Sequence, residues 1–313
     1  MTLTFVQTVA GPVPPQSLGH CQMHEHLFVR DTPAALANPA LRIDDEEKST
    51  LELSDYFAAG GRTVLDAQPG SAGRDAAALL RLSNASGVHI VTVTGFHRPM
   101  FYPPDSFLFT EDEDALFGRF LLELREGVTD GGARLPIRAG AVKAALGREG
   151  PAGRDGALLR AAARAAAAGD VPLVLHTEAG AGAVQAVALC EKAGLDPRRV
   201  LVCHADRQAE DFRPHEEIAR TGAFLEYDTI GRFKYHDDES EIRLILRMLE
   251  KGHRDRLLLS LDTTAARLHH YGGEIGLTYL IETFLPALAR AGVLREDLEI
   301  LTRVNPSRAF EGP

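Results

Sequence analysis

Eight short apolar runs rich in β-branched residues, separated by helix-like stretches, predict an α/β fold of the (β/α)8 TIM-barrel type. Two further observations favour a closed barrel over a doubly wound open sheet. No Gly-rich phosphate-binding turn follows the first run, which ends in His24-Glu25-His26 instead. No Pro/Ser/Gly-rich linker divides the 313 residues, so residues 1–313 read as a single barrel domain.

Taken in order, residues 5–15 are expected to form a short N-terminal hairpin or cap. The strands follow at residues 20–29, 62–68, 89–95, 136–144, 171–177, 200–205, 223–228 and 257–262. The helices between and after them are expected at residues 46–59, 74–86, 111–127, 154–168, 183–193, 210–221, 239–252 and 275–291. Several are rich in Ala, Leu, Arg and Glu and stop at glycine, which supplies the left-handed conformation a helix end favours. LLRAAARAAAAG is the plainest case. Two connections, residues 98–110 and 263–273, lack a helical pattern. Both follow strands, so both fall on the face where barrel loops shape specificity.

Composition bounds the function. Hydrophobic residues make up 45% and charged residues 25%, ordinary for a chain able to bury a large core. A net charge of −10 with interspersed signs argues against nucleic-acid or acidic-membrane binding, though a local basic pocket remains open to an anionic small molecule. Cys21, Cys190 and Cys203 form no C-x-x-C pair and no disulfide framework, which points to a reducing cytoplasm. The N-terminal residues lack the basic and apolar regions of a secretory signal, and no apolar run approaches the ~18 residues of a membrane span.

The chemistry sits at strand ends. In a strand, alternate residues share a side, so His24 and His26 aim two imidazoles together while Glu25 points away. Lys143, His176, His204 and Asp262 each lie near the carboxyl end of a different run. Taken singly, each is an ordinary polar residue after an apolar stretch. A closed parallel barrel brings all those ends to one mouth, so five strands would deliver six groups to one place. Imidazole and carboxylate suit Zn²⁺, Mn²⁺, Fe²⁺ or Co²⁺. An interior lysine there has two readings. Either Lys143 neutralises a nearby acid, or carbon dioxide has carboxylated its amine and the anionic carbamate bridges two cations.

With these residues in view, the chain resembles the binuclear amidohydrolase superfamily. GPVPP…HEH, TGFHRPMFYP and LSLDTT resemble more narrowly its phosphotriesterase-related branch, which includes lactonases, and the likeness runs from the GPV segment to NPSRAF. The resemblance implies one metal on His24, His26 and Asp262, a second on His176 and His204, and carboxylated Lys143 as the bridge. It implies two divalent cations per chain, zinc foremost, and a homodimer. The implied chemistry is attack by a hydroxide bridging the cations, with Asp262 as catalytic proton shuttle. No G-x-S-x-G elbow or G-x-x-x-x-G-K-[ST] loop offers another route.

Substrate choice falls to the loops. Arg232 and Lys234 follow the seventh run, and Arg267, His269, His270 and Tyr271 follow the eighth. Cations with a phenol suit a phosphate or carboxylate tail, and singly they are solvated loop charges. IGRFKY is similar to the segment that provides a phosphate-binding lysine in phospho-sugar lactonases, which implies Lys234. Arg267 and Tyr271 stand further from Asp262 than in those enzymes. His97 lies where related lactonases place an aromatic residue against the lactone. The expected activity is opening of an anionic, phosphorylated sugar lactone. The alternatives are a phosphotriesterase or phosphodiesterase, a mononuclear deaminase-type hydrolase using Glu178, and a non-catalytic binding protein.

Overall fold

The N-terminal segment forms the expected hairpin: β1 (Val6–Thr8) pairs antiparallel with β2 (Gly11–Val13). It belongs to a computed structural model that describes residues 5–30 and 33–311. The barrel strands follow as β3 (His20–Glu25), β4 (Gly61–Asp66) and β5 (His89–Gly95). An unforeseen two-residue hairpin, β6 (Thr129–Asp130) and β7 (Ala133–Arg134), precedes the rest. These are β8 (Ala141–Ala145), β9 (Leu173–His176), β10 (Val200–Cys203), β11 (Phe224–Tyr227) and β12 (Leu257–Leu259). They run parallel in the order β3-β4-β5-β8-β9-β10-β11-β12.

The ring closes between β12 and β3 through one serine side chain and one backbone bond. Met23 N and His24 N donate to Ser260 Oγ at 2.7 and 3.0 Å, and Asp262 N donates to the His24 carbonyl at 3.1 Å. Packing follows the two-residue strand period. Met23, Leu65, Val91, Ala141, Val174, Leu201, Phe224 and Leu258 fill the barrel interior, and a larger cluster lies between strands and helices. Lys143 and His176 stand two residues beyond Ala141 and Val174, so the same alternation carries them up towards the mouth. Gly95 makes one close approach possible. Its φ is +99°, and a Cβ there would sit 2.0 Å from the Lys143 carbonyl oxygen.

The helices begin where aspartates cap them. Asp45, Asp75, Asp112 and Asp237 accept from the backbone N–H groups of Lys48, Ala78, Ala115 and Ser240. Capping explains why one helix starts at Ala76 rather than at residue 74. The expected helix over residues 275–291 is a π turn, Leu280–Phe284, running into an α-helix, Leu285–Arg290. No helix among the described residues is long and apolar enough to cross a membrane.

One buried histidine sets an acid limit on this fold. His20 Nδ1 lies 3.1 Å from the Tyr56 hydroxyl, and burial, helped by Arg303, depresses the imidazole pKa to about 3. The unfolded chain therefore binds the proton first. Stability is full above the ordinary value of 6.5 and falls as pH drops towards about 3. The expected loss from this group is ~2 kcal/mol between pH 7 and 5. Urea unfolding at both pH values should show a smaller loss for His20→Gln than for the wild type. Parallel losses would remove His20 as the cause.

Candidate metal centre

Five barrel strands do bring the six expected residues to one mouth. His24 lies in β3, with His26 just past its end; Lys143 lies in β8 and His176 closes β9. His204 follows β10, and Asp262 lies three residues beyond β12. All six are buried. Lys143 Nζ is 3.1 Å from His24 Nε2. Asp262 Oδ1 lies 3.3 Å from His26 Nε2 and 3.8 Å from His24 Nε2. On the other side His204 Nε2 is 2.8 Å from His176 Nδ1. His204 Nδ1 is 3.9 Å from Asp262 Oδ2, which links the two groups.

The backbone bends to make this possible. His204 and Asp262 have φ values of +63° and +48°, a region that costs residues with a Cβ about 1–3 kcal/mol. Both turn their chains off a strand end and into the mouth. In β3, the pairing with β4 shifts register between Gln22 and Glu25, the kind of irregularity that re-aims side chains beside active sites. The two histidines go to the donor cluster, and Glu25 goes elsewhere. Its Oε1 accepts from Leu261 N at 2.8 Å; its Oε2 accepts from Thr263 N at 2.9 Å and Thr263 Oγ1 at 2.7 Å. Glu25 thus grips the chain on both sides of Asp262. Burial, opposed by those bonds, raises its carboxyl to about 7.

Asp228, directly after β11, completes the inner arrangement. Its Oδ1 is 2.7 Å from His204 Nδ1 and its Oδ2 is 2.9 Å from His24 Nδ1. The carboxylate thereby hydrogen-bonds the His204 imidazole and lies beside that of His24, and the Nε2 atoms of both face the centre, as with outer partners of ligating histidines.

Guanidinium groups ring the outer side. Arg232 ion-pairs with Asp262 Oδ2, and Arg207 lies 3.4 Å from the same oxygen. Arg98 pairs with Glu178, and His97 is buried with its ring 5.6 Å from that of His176. Arg232, Phe233, Lys234, Thr264 and Arg267 line a cavity of 310 Å³. Arg267 is already committed: it donates to the carbonyls of Leu261, Asp262 and Ile230, strapping two loops together. Tyr271 is not in the cavity lining. Its hydroxyl donates to the Asp45 carbonyl at 2.7 Å and meets Ser49 Oγ at 2.8 Å, fixing its loop to the helix Glu46–Ala58. The structure therefore gathers Arg232 and Lys234 on the cavity wall, makes Arg267 a strap, and sets Tyr271 apart.

Comparison with known proteins decides the family. A model described as the phosphotriesterase family matches residues 4–310. The chain belongs to the phosphotriesterase family. A phospho-furanose lactonase from Mycoplasmopsis agalactiae is 29% identical, over 99% of this chain and 92% of that protein. A lactonase structure from Listeria monocytogenes superposes with a TM-score of 0.91 at 27% identity, covering 98% of this chain and 99% of that one. A phosphotriesterase homology protein from Escherichia coli, solved with phosphate in its active site, has a TM-score of 0.85 at 28% identity. It covers 94% of this chain and 99% of that one.

The phosphotriesterase family is one of metal-dependent hydrolases, and the residues at this mouth fit a metal centre. Burial above all keeps His24 and His204 well below their ordinary pKa and takes His176 to about 4. All three are therefore the neutral, ligating form. Burial also lifts Asp228 far above the carboxylate range and Glu226 to about 8. The mouth is short of positive charge, which divalent cations would supply. Glu178, the residue a deaminase reading would use, is held down to about 2, first by its bond to His176. An ionised carboxylate tied to Arg98 is a poor proton donor.

Asp228 ends the seventh run as Asp262 ends the eighth, so its position was readable although it went unremarked. Arg207 stands three residues after His204 and carries no such mark. Only the folded mouth distinguishes it from a solvated charge.

Proposed function

We propose that this protein opens a lactone carrying an anionic group, best matched by a phosphorylated sugar lactone. His24, His26 and Asp262 would hold one divalent cation and His176 and His204 a second, with carboxylated Lys143 between them. Zinc suits the imidazole-rich set best, with manganese, iron and cobalt as alternatives. When bound, the pair would supply a nucleophile from water at neutral pH and polarise the lactone carbonyl. Asp262 Oδ2 would take the proton and return it to the leaving oxygen, while Arg232 and Arg207 keep that carboxylate ionised and placed.

The observation that carries the anionic substrate is the cavity between the loops after β11 and β12. Arg232 lines it and also ion-pairs with Asp262, so this one side chain borders both the cavity and the proposed metal mouth. Lys234 lines the cavity too, with its ammonium 4.7 Å from the centre of the Tyr235 ring. A neutral phosphotriester would gain nothing from these cations. The names of the Mycoplasmopsis and Listeria relatives, and the phosphate in the Escherichia coli structure, support the same reading.

The test is acid release from metal-loaded protein given lactones with and without a phosphate. Turnover of phosphorylated members is expected; no turnover of any lactone, with both cations bound, would overturn the proposal. Lys234→Ala should raise KM for the phosphorylated lactone by roughly 10- to 100-fold, the worth of one charge-assisted hydrogen bond, with kcat little changed. An equal rise for the unphosphorylated lactone would show that Lys234 does not hold the anion.

A further inference from the structure

A separate group of donors lies behind the loop that follows β11. Asp206, His236 and Glu241 each bring a side-chain ligand atom within 4.8 Å of the others. None of the three belongs to the set assigned to the mouth. Glu241 stands in the first turn of the helix Asp238–Glu250 and is fully buried, yet neither of its oxygens takes part in a hydrogen bond. His236 Nε2, 3.1 Å from Glu241 Oε2, is out of line for one. Asp206 is equally buried. Its Oδ2 accepts from Thr229 N at 2.6 Å, and its Oδ1 has no partner. His236 Nε2 also lies 3.2 Å from Thr229 Oγ1.

Two enclosed carboxylates cannot both stay charged against one imidazole without further compensation. Burial, then Asp206 and Asp238, pushes the Glu241 carboxyl well above its ordinary range, so the pocket as it stands lacks positive charge. One oxygen from each carboxylate and an imidazole nitrogen, gathered within 4.8 Å of one another, form a donor set for a transition-metal dication.

We propose that Asp206, His236 and Glu241 hold a third divalent cation, of the zinc or manganese kind, with a structural role. It would join three pieces of chain: the turn after β10, the loop after β11 and the start of the helix Asp238–Glu250. That loop carries Arg232 and Lys234. Its other ties include the Arg267 bond to the Ile230 carbonyl, the Arg232–Asp262 ion pair, and Gly231 N to Asp238 Oδ1 at 3.2 Å, with Tyr279 donating to Asp238 Oδ2 at 2.6 Å. A cation here fixes the base of the loop whose tip faces the substrate cavity.

The experiment counts metal and locates it. Full-length protein saturated with zinc and freed of unbound metal by gel filtration is assayed by mass spectrometry of the elements. About three zinc ions per chain are expected in the wild type, and about two in Glu241→Gln and in His236→Gln. A crystal of the zinc-loaded wild type should give an anomalous peak within coordination distance of His236 Nε2 as well as peaks at the mouth. Equal zinc content in wild type and His236→Gln, or anomalous peaks at the mouth alone, would overturn the third site. A Glu241→Gln protein that fails to fold leaves the decision to the wild-type map and to His236→Gln, a change at a residue less enclosed than Glu241. Loss of the mouth peaks with the His236 peak retained would count against the catalytic assignment and for this one.

Discussion

Lys143→Met is expected to lose the proposed cation pair and to lower lactone hydrolysis by at least ~10³-fold, because those cations would supply several kcal/mol of the rate. The side chain is fully buried at 0% exposure and its Nζ faces His24 Nε2 at 3.1 Å. Among the described residues no carboxylate lies within ion-pair distance of it. A bare ammonium enclosed beside an imidazole is unfavourable, and two neighbouring cations would make it more so. Carboxylation reverses the sign: the ammonium gives up one proton, the freed amine nitrogen bonds to the carbon of carbon dioxide as a second proton leaves, and the product is an anion with two oxygens. Methionine matches the apolar stem of lysine but has no amine to react, so the fold should survive. Protein prepared in ¹³C-bicarbonate should show a carbamate carbon signal in the wild type and none in Lys143→Met. A Lys143→Met enzyme with two cations and wild-type turnover would eliminate the bridge.

The same residue shows why so much of this site was readable in advance. A parallel barrel converts position along a strand into height above the floor, so a polar residue at the end of an apolar run already has an address. Lys143, His176 and His204 needed only that. Strand limits were less legible. The fourth run begins at residue 136, but ladder pairing starts at Ala141, because apolar alternation reports burial rather than hydrogen bonding. Asp262 was expected inside the last strand and instead lies in a left-handed turn beyond Leu259. Residues whose role depends on a distant backbone partner could not be placed from spacing. Tyr271 and Arg267 read as cations and phenol for an anion until the carbonyls of Asp45, Ile230 and Leu261 are seen in front of them. Asp228 and Arg207 are the converse, ordinary in the sequence, one against His204 and His24 and the other against Asp262 once folded.

Glu25→Ala is expected to lower kcat by about 10²-fold, the penalty for moving a catalytic group by about 1 Å, with both cations retained. The carboxylate never reaches the reacting atoms. Its three acceptor contacts, to Leu261 N, Thr263 N and Thr263 Oγ1, hold the peptides on either side of Asp262. Between those anchors Asp262 keeps a φ of +48°, and left alone the chain would relax towards a negative value. Its Oδ1 would then leave His26 Nε2, now 3.3 Å away, and its Oδ2 would leave Arg232 and Arg207. Stability should fall too, by ~2–4 kcal/mol, since buried donors would lose their acceptor. Glu25→Gln preserves volume and one acceptor but turns an amide N–H₂ towards a backbone N–H, so it should fall between alanine and the wild type. The two variants separate placement from bulk stability. A positioning role lowers kcat far below what the folded fraction accounts for, whereas a purely structural role lowers activity only in proportion to unfolding. Wild-type kcat in folded Glu25→Ala would mean that the Asp262 turn keeps its geometry without the brace.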